Sequence, residues 1–398
     1  MNSEKRRVKV RSARKILKVV AIIVGVLLSL QYIVNPKYHF PQSTPFSGNY
    51  FYNPYQNIDT AKWRKANFHV HTRQWLGLTN GMKNTNELVD SIYSYLGYDI
   101  YCISDYQTIN DYEKDHSWYI PVYEHAYMPS KNHQLVLNAR SVTWLDYLFP
   151  QTLDNKQQII NALKEDTGCL VAIAHPHWQD QYAPEDFKYL CNYDLIEALN
   201  QNRFSFAYWD SALSNGHTAF ILADDDAHDI QDIQEGGHCC TFINTALQKD
   251  SILAALKNGG AYGSDVDGPN NNSYSERKVI MASLGHLESV KMSGDTMTVR
   301  MSKKVKSFGF IGQNGVLEKK MSDVQEASYI FSKVDTYIRT EIKEEGGTTC
   351  YLNPVFRYDG KSVPTYQATV DVMKTWIWRL GFILIILLLI NVRGRIAK

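Results

Sequence analysis

KANFHVH (65–71), CLVAIAHPH (169–177) and TAFILADDDAH (218–228) decide how this chain reads. Each is a short apolar run ending in two potential metal ligands two residues apart: His69 and His71, His175 and His177, Asp226 and His228. On an extended strand, residues i and i+2 point to one face about 6.5–7 Å apart, near enough to grip one ion or two adjacent ones. A single histidine so placed is most simply a satisfied polar residue. The same arrangement repeated three times is hard to explain by packing.

Other apolar runs carry the same kind of terminus. DIYCIS (99–104) runs into Asp105, YIPVYEH (119–125) carries Glu124, and HQLVLNA (133–139) opens on His133. DLIEALN (194–200) and HCCTFIN (238–244) complete the set of strands. Helical patterns lie between them: NTNELVDSIYSYL (84–96), KQQIINALKED (156–166) and DSILAALKNGG (250–260), the last stopping at a glycine pair. This alternation predicts a parallel sheet covered by helices, either a barrel or open, with the carboxyl ends of the strands gathered on one rim. Imidazole and carboxylate donors converging there predict a metal site. Without thiolate, such a set suits Zn, Mn or Fe rather than Ca.

The flanks divide the rest of the chain. Residues 1–18 form a basic tail, with Lys5, Arg6, Arg7, Lys9, Arg11, Arg14, Lys15 and Lys18 against Glu4. Residues 19–36 are uncharged and long enough to cross a bilayer core of about 30 Å. The positive-inside rule keeps the tail in the cytoplasm, and no A-x-A-like cleavage site follows. Residues 37–60 read as a proline-rich connector, 61–263 as the metal-binding α/β region, 264–276 as a polar linker and 277–371 as a small antiparallel β domain. A second membrane helix is expected over 372–392, bounded by Trp376, Trp378 and Arg379 and by Arg393 and Arg395, with 393–398 as a cytoplasmic tail. Two spans leave both termini in the cytoplasm, the central region outside the cytoplasmic membrane and the lipid bilayer as a partner. A net charge of +1 over 398 residues excludes a broad basic field for nucleic acid. Six cysteines with no CxxC pair read as buried free thiols, not as a disulfide scaffold or a thiolate zinc site.

NFHVHT, CISDYQ, the isolated Glu124, HQLVL, AIAHPH and ADDDAH stand in the order of the motifs of the polymerase-and-histidinol-phosphatase (PHP) metallohydrolases, and residues 61–263 resemble that superfamily. GPNNNS, TYIRTEI and CYLNPV resemble PHP proteins that append a small β-sandwich. The resemblance implies a distorted (β/α)7 barrel followed by that sandwich. It also implies two divalent ions, one held by His69, His71, Glu124 and Asp226 and the other by the same Glu124 with His133 and His175. The family's SDH is here Ser104-Asp105-Tyr106, and QWLGLTNG (74–81) has no histidine for a third ion. His228 is thereby left to contact substrate or donate a proton, with His177 next to be considered.

Asp105 is expected either to orient a ligand or to cap the following loop. Arg203, just past a strand end, is placed to clamp a phosphate or to form a surface ion pair. His125 alternates away from Glu124 and reads as structural. The resulting expectation is a membrane-anchored hydrolase outside the cytoplasm, a phosphoesterase using a water activated by two metals. Its substrate would be a phosphorylated small molecule or envelope polymer. An amide or ester hydrolase and a non-catalytic metal-binding sensor or scaffold are the alternatives.

Overall fold

The computed structural model describes residues 2–79, 81–128, 132–201, 203–266 and 272–396; the side chains of 2–15, 22, 180 and 389–396 lie outside that description. Helix α1 (Asn2–Val34) leads into a connector carrying β1 (Tyr38–His39) and β2 (Tyr50–Tyr52). Next come β3 (Trp63–Asn67), α2 (Asn86–Leu96), β4 (Ile100–Tyr101), β5 (Val122–His125), β6 (Gln134–Leu137), α3 (Leu153–Lys164) and β7 (Leu170–Ile173). They are followed by β8 (Leu195–Asn200), β9 (Arg203–Phe204), α4 (Phe206–Ser214), β10 (Phe220–Asp224), β11 (Cys239–Asn244), α5 (Lys249–Lys257) and β12 (Ala261–Asp265). The C-terminal third holds α6 (Tyr274–Ser283), β13 (Leu287–Ser293), β14 (Thr296–Ile311), β15 (Leu317–Ile330) and β16 (Tyr337–Lys343). β17 (Thr349–Leu352), β18 (Val355–Tyr358), β19 (Thr369–Val370) and α7 (Val372–Ile396) end it.

Local chemistry sets several of these boundaries. Thr85 caps α2 by accepting from Leu88 N–H, and Gly97, left-handed at φ 80°, ends it. Thr152 and Asn155 form a reciprocal capping box at α3.

The expected (β/α)7 barrel is not what forms. The architecture is mixed α/β with two large open sheets. One runs β10-β8-β7-β6-β5, parallel where β8 meets β10 and β7, antiparallel at β6. The other runs β13-β14-β16-β17-β12-β11-β3-β4, antiparallel except at β3–β4. Closing a barrel requires continuous ladders all the way round. Here β4 pairs with β3 through only Ala66↔Ile100 and Asn67↔Tyr101, and the two sheets touch through the isolated bridges Val70↔Ala227 and Tyr106↔Glu124. The other edge of β3 is paired by β11, Thr241 opposite Ala66, and the sheet runs on through β12 to β17, Tyr262 opposite Leu352, into the C-terminal strands. The expected β-sandwich is accordingly an extension of the same sheet.

The sheets enclose one contiguous apolar core that includes Phe68, Leu135, Ile173, Leu199, Ile221 and Phe308. They pack tightly at Gly263, where an added Cβ would lie 2.8 Å from Leu199 and 2.9 Å from Ile221. Asp210 on α4 and Arg339 on β16 are buried and paired in a fork, 2.7 and 2.8 Å, which ties the α/β region to the C-terminal strands. All six cysteines are free and buried.

The expectation of two membrane helices is also corrected. Among the described residues one helical stretch, Ile16–Val34, is long and apolar enough to cross a membrane, with a mean hydropathy of 2.3. The C-terminal segment is helical, but Lys374 and Arg379 interrupt it. The uncharged run 380–392 then spans only about 20 Å at 1.5 Å per residue, short of a bilayer core of about 30 Å. α7 instead packs its first turns on the end of α1: Trp378 Nε1–H donates to the Tyr32 carbonyl at 3.0 Å and Arg379 Nη2 to that of Val34 at 2.7 Å.

Candidate metal centre

The ligand-bearing segments begin where regular strands stop. β3 ends at Asn67, and His69 and His71 follow in an extended stretch held by the Val70↔Ala227 bridge. The segment carrying Asp226 is strapped to it: Asp226 N–H donates to the His69 carbonyl at 2.8 Å, and His71 N–H to that of Ala227 at 3.0 Å. Glu124 lies within β5, His133 just before β6 and His175 just after β7. His175 and Asp226 are left-handed, φ 25° and 52°, a backbone that costs energy and persists where surroundings enforce it.

His69, His71, Glu124 and Asp226 are buried and their donor atoms face one another. His69 Nε2 lies 3.2 Å from His71 Nε2, 3.4 Å from Glu124 Oε2 and 3.2 Å from Asp226 Oδ1. His71 Nε2 is 3.1 Å from Glu124 Oε2 and 3.2 Å from Asp226 Oδ1. Four ligands each about 2.1 Å from one tetrahedral ion stand about 3.4 Å from each other, so this set has the span a single cation requires. Glu124 Oε2 and Asp226 Oδ1 are buried and accept no hydrogen bond, a costly state unless a cation meets them. The donor set therefore fits a divalent ion. The other carboxylate oxygen of Glu124 serves a second group: Oε1 is 2.5 Å from His133 Nδ1 and 3.1 Å from His175 Nε2.

The electrostatics follow from this crowding. Burial alone would lower the imidazoles, but Asp226, Glu197 and Glu124 outweigh it and hold His69 well above its ordinary range. Asp226 and Glu124 likewise lift His71 to about 9. Burial would raise the carboxyls, yet His133 and His69 hold Glu124 well below the usual carboxylate range, and His69 and His228 do the same to Asp226. The crowding thus favours positive charge between the carboxylates, the charge that a metal ion would bring.

Glu197 is the member that sequence reasoning missed. Its Oε1 accepts from His69 Nδ1 at 2.8 Å, and its Oε2 accepts from His175 N–H at 2.7 Å and Asn200 Nδ2 at 3.0 Å. With Nδ1 carrying the proton, the Nε2 lone pair of His69 points into the cluster. The available signal was a lone carboxylate in the middle of the apolar run LIEALN, a place a strand tolerates only when that carboxylate is paired.

The remaining predicted residues are placed as follows. Asp105 meets no histidine; it accepts from Thr72 N–H at 2.6 Å, from Gln74 Nε2 at 3.0 Å and from Asn110 Nδ2 at 2.8 Å, fixing the loop that follows His71. His228 stacks on His71 at 4.4 Å. Its Nδ1–H donates to the Asp226 carbonyl at 2.8 Å, so its Nε2 accepts from the Tyr106 hydroxyl at 3.2 Å. Arg203 Nη1 is 3.5 Å from Asp226 Oδ2 and its guanidinium lies 3.7 Å over the Trp178 ring. His177 stands apart from the donor groups, bonded through Nδ1 to the Phe204 carbonyl at 3.2 Å. His125 is buried between Gln134 and the Leu145 carbonyl.

No protein-family model matches the chain, and no curated protein matches it, so the PHP resemblance rests on its motifs alone. Among solved structures, the crystal structure of PsfC from Pseudomonas syringae PB-5123 is similar at 14% identity and a TM-score of 0.33. The match covers 56% of this chain and 96% of that one, and a likeness of this degree carries no argument for fold or function.

Proposed function

We propose that this chain is a membrane-anchored metal-dependent hydrolase, a phosphoesterase, working outside the cytoplasm with α1 as its anchor. The observation that carries the reading is Glu124, a buried carboxylate with imidazoles against both of its oxygens. In the proposed arrangement His69, His71, Glu124 and Asp226 hold one ion, and Glu124, His133 and His175 hold the other. Two such cations would supply charge to polarise a phosphoryl group and to acidify water.

The chain's own residues do the rest. Glu197 keeps His69 in the ligating tautomer and also holds the His175 backbone. Asp105 fixes the turn after His71. Arg203, half-buried, brings a fixed guanidinium to the edge of the cluster, where a phosphoryl oxygen can accept from it. His228 holds the Tyr106 hydroxyl at that edge, and its own Nε2 is the acceptor through which a proton can pass. Hydrolysis breaks one P–O bond; water gives its oxygen to phosphorus and a proton to the departing alcohol.

The test is metal content of the full-length protein, followed by hydrolysis of phosphomonoester and phosphodiester substrates with added Mn or Zn. About two ions per chain and turnover abolished in His69→Ala are expected. Bound metal with no turnover on any ester or amide would replace the hydrolase with a metal-binding scaffold.

A further inference from the structure

Beside the ligand cluster lies a cleft of about 410 Å³ lined chiefly by Trp75, Leu78, Thr79, Tyr106, Tyr127 and Trp144. Tyr106 is shared with the cluster: its ring stacks on His71 at 4.3 Å while its hydroxyl meets His228. Trp144 packs edge-on against Trp75 at 5.9 Å and against Tyr127 at 5.7 Å. Two of these rings have their polar ends bonded to backbone. Trp75 Nε1–H donates to the Tyr106 carbonyl at 2.8 Å, and the Tyr127 hydroxyl donates to that of Trp144 at 2.9 Å. What the aromatic rim offers a ligand is therefore chiefly apolar ring surface.

Two more observations bear on the cleft. Trp75, Leu76, Gln107 and Ala126 all have positive φ, 50°, 56°, 50° and 125°, so strained backbone is concentrated around it. Leu76 and Leu78 stand 98% and 87% exposed beside half-exposed Trp75 and Trp144, a grouping of large apolar side chains that isolated surface residues do not explain.

The loop that supplies Trp144 places the cleft. Five residues further on, within about 17 Å of chain, it is fastened to the end of α1. Phe149 N–H donates to the Tyr32 hydroxyl at 2.5 Å, and the rings of Tyr147 and Phe149 lie 5.2 and 5.7 Å from that of Tyr32. Tyr32 sits in the final turn of the membrane-length helix, and Trp378 joins it there. Tyrosine and tryptophan gathered at such a point are what a lipid–water interface selects.

We propose that the cleft takes the hydrocarbon chain of an amphiphilic phosphate ester whose headgroup lies at the metal-ligand cluster, so that substrate is drawn from the membrane. Trp144 ties the wall of the cleft through a short segment to α1, and Tyr106 joins that wall to the cluster, an arrangement that favours an amphiphile over a soluble ligand. This inference rests on the hydrolase reading above.

The experiment uses full-length protein in lipid nanodiscs with Mn or Zn and a series of n-alkyl monophosphates from methyl to hexadecyl, compared with Leu78→Arg. Leu78 is exposed, so the variant is expected to fold. In the wild type, kcat/KM should rise about tenfold for every two methylenes buried, until the cleft is full. Leu78→Arg should cut the long-chain to short-chain ratio at least about tenfold. A chain-length dependence of equal size in both proteins would mean that bilayer partitioning alone concentrates the substrate, and would overturn the cleft. A second readout is independent of turnover: quenching of tryptophan fluorescence by an alkyl phosphate brominated along its chain. Quenching that Leu78→Arg weakens, without hydrolysis, keeps the cleft and removes the enzyme. Hydrolysis of methyl phosphate with neither chain dependence nor quenching keeps the enzyme and removes the cleft.

Discussion

Replacing Glu197 by glutamine is the perturbation that probes the ligand cluster most cleanly, because it preserves shape and removes one acceptor. In one amide orientation the oxygen still faces His69 Nδ1, but the NH2 group is set against His175 N–H and Asn200 Nδ2, donor against donor. In the other orientation the NH2 group faces His69 Nδ1. The imidazole then shifts its proton to Nε2 and turns a donor toward Glu124 and Asp226. The first orientation breaks two buried hydrogen bonds and the second reverses the one to His69, and each bond to the charged acceptor that is lost costs about 1.5–3 kcal/mol. Carried into metal binding, that is a loss of about 10- to 100-fold in affinity, the range seen when partners behind a ligating histidine are removed. The assay is competition for Zn or Mn between the full-length protein and a fluorescent chelator, with denaturant stability measured alongside. Wild-type affinity in a folded Glu197→Gln protein would refute the view that this carboxylate orients His69 as a ligand. A drop in stability with unaltered affinity would have the same force.

Three other outcomes are expected. Arg339→Met leaves the buried Asp210 carboxylate without its fork and should destabilise the protein by about 3–5 kcal/mol in denaturant titration, with part of the loss recovered when Asp210→Asn is added. Gly263→Val forces side-chain atoms into Leu199 and Ile221 where the two sheets meet, and should cost about 1–3 kcal/mol by the same measurement. His217 is buried, donates through Nε2 to the Lys188 carbonyl at 3.1 Å, and is pushed down to about 4 by that burial. The unfolded chain binds the proton first as pH falls, so the contribution of neutral His217 is complete above about pH 6.5 and is lost progressively down to about pH 4. The stability advantage of wild type over His217→Gln should therefore shrink by roughly 2 kcal/mol between pH 7 and pH 5, and a constant difference would refute the assignment.

Much of the local structure is legible in the chain. The helices expected over 84–96, 156–166 and 250–260 form as Asn86–Leu96, Leu153–Lys164 and Lys249–Lys257. Apolar periodicity and caps are short-range signals, and they act before any tertiary contact exists. The strands are shorter than their apolar runs: DIYCIS forms a strand only at Ile100–Tyr101, and the run holding His69 and His71 stops being a regular strand at Asn67. Those runs stay apolar because they are buried, and burial does not by itself make a ladder. The membrane reading erred for a related reason. Window composition counted the aromatic and basic flank of the C-terminal run toward a span, whereas Trp378 and Arg379 are committed to the end of α1.

By itself the sequence determined the paired spacing His69/His71 and Asp226/His228, the apolar length of Ile16–Val34 and the alternation of strand and helix, because each depends on neighbours within a few residues. Tertiary structure alone decided that two sheets stay open, that β12 pairs with β17 and carries its sheet into the C-terminal strands, and that Glu197 stands behind His69. It also decided that Tyr106 is a wall common to the cluster and the aromatic cleft. Strand partners and shared walls join residues tens to hundreds of positions apart. Their selection depends on which buried polar groups can be satisfied together, and no local window of sequence contains that condition.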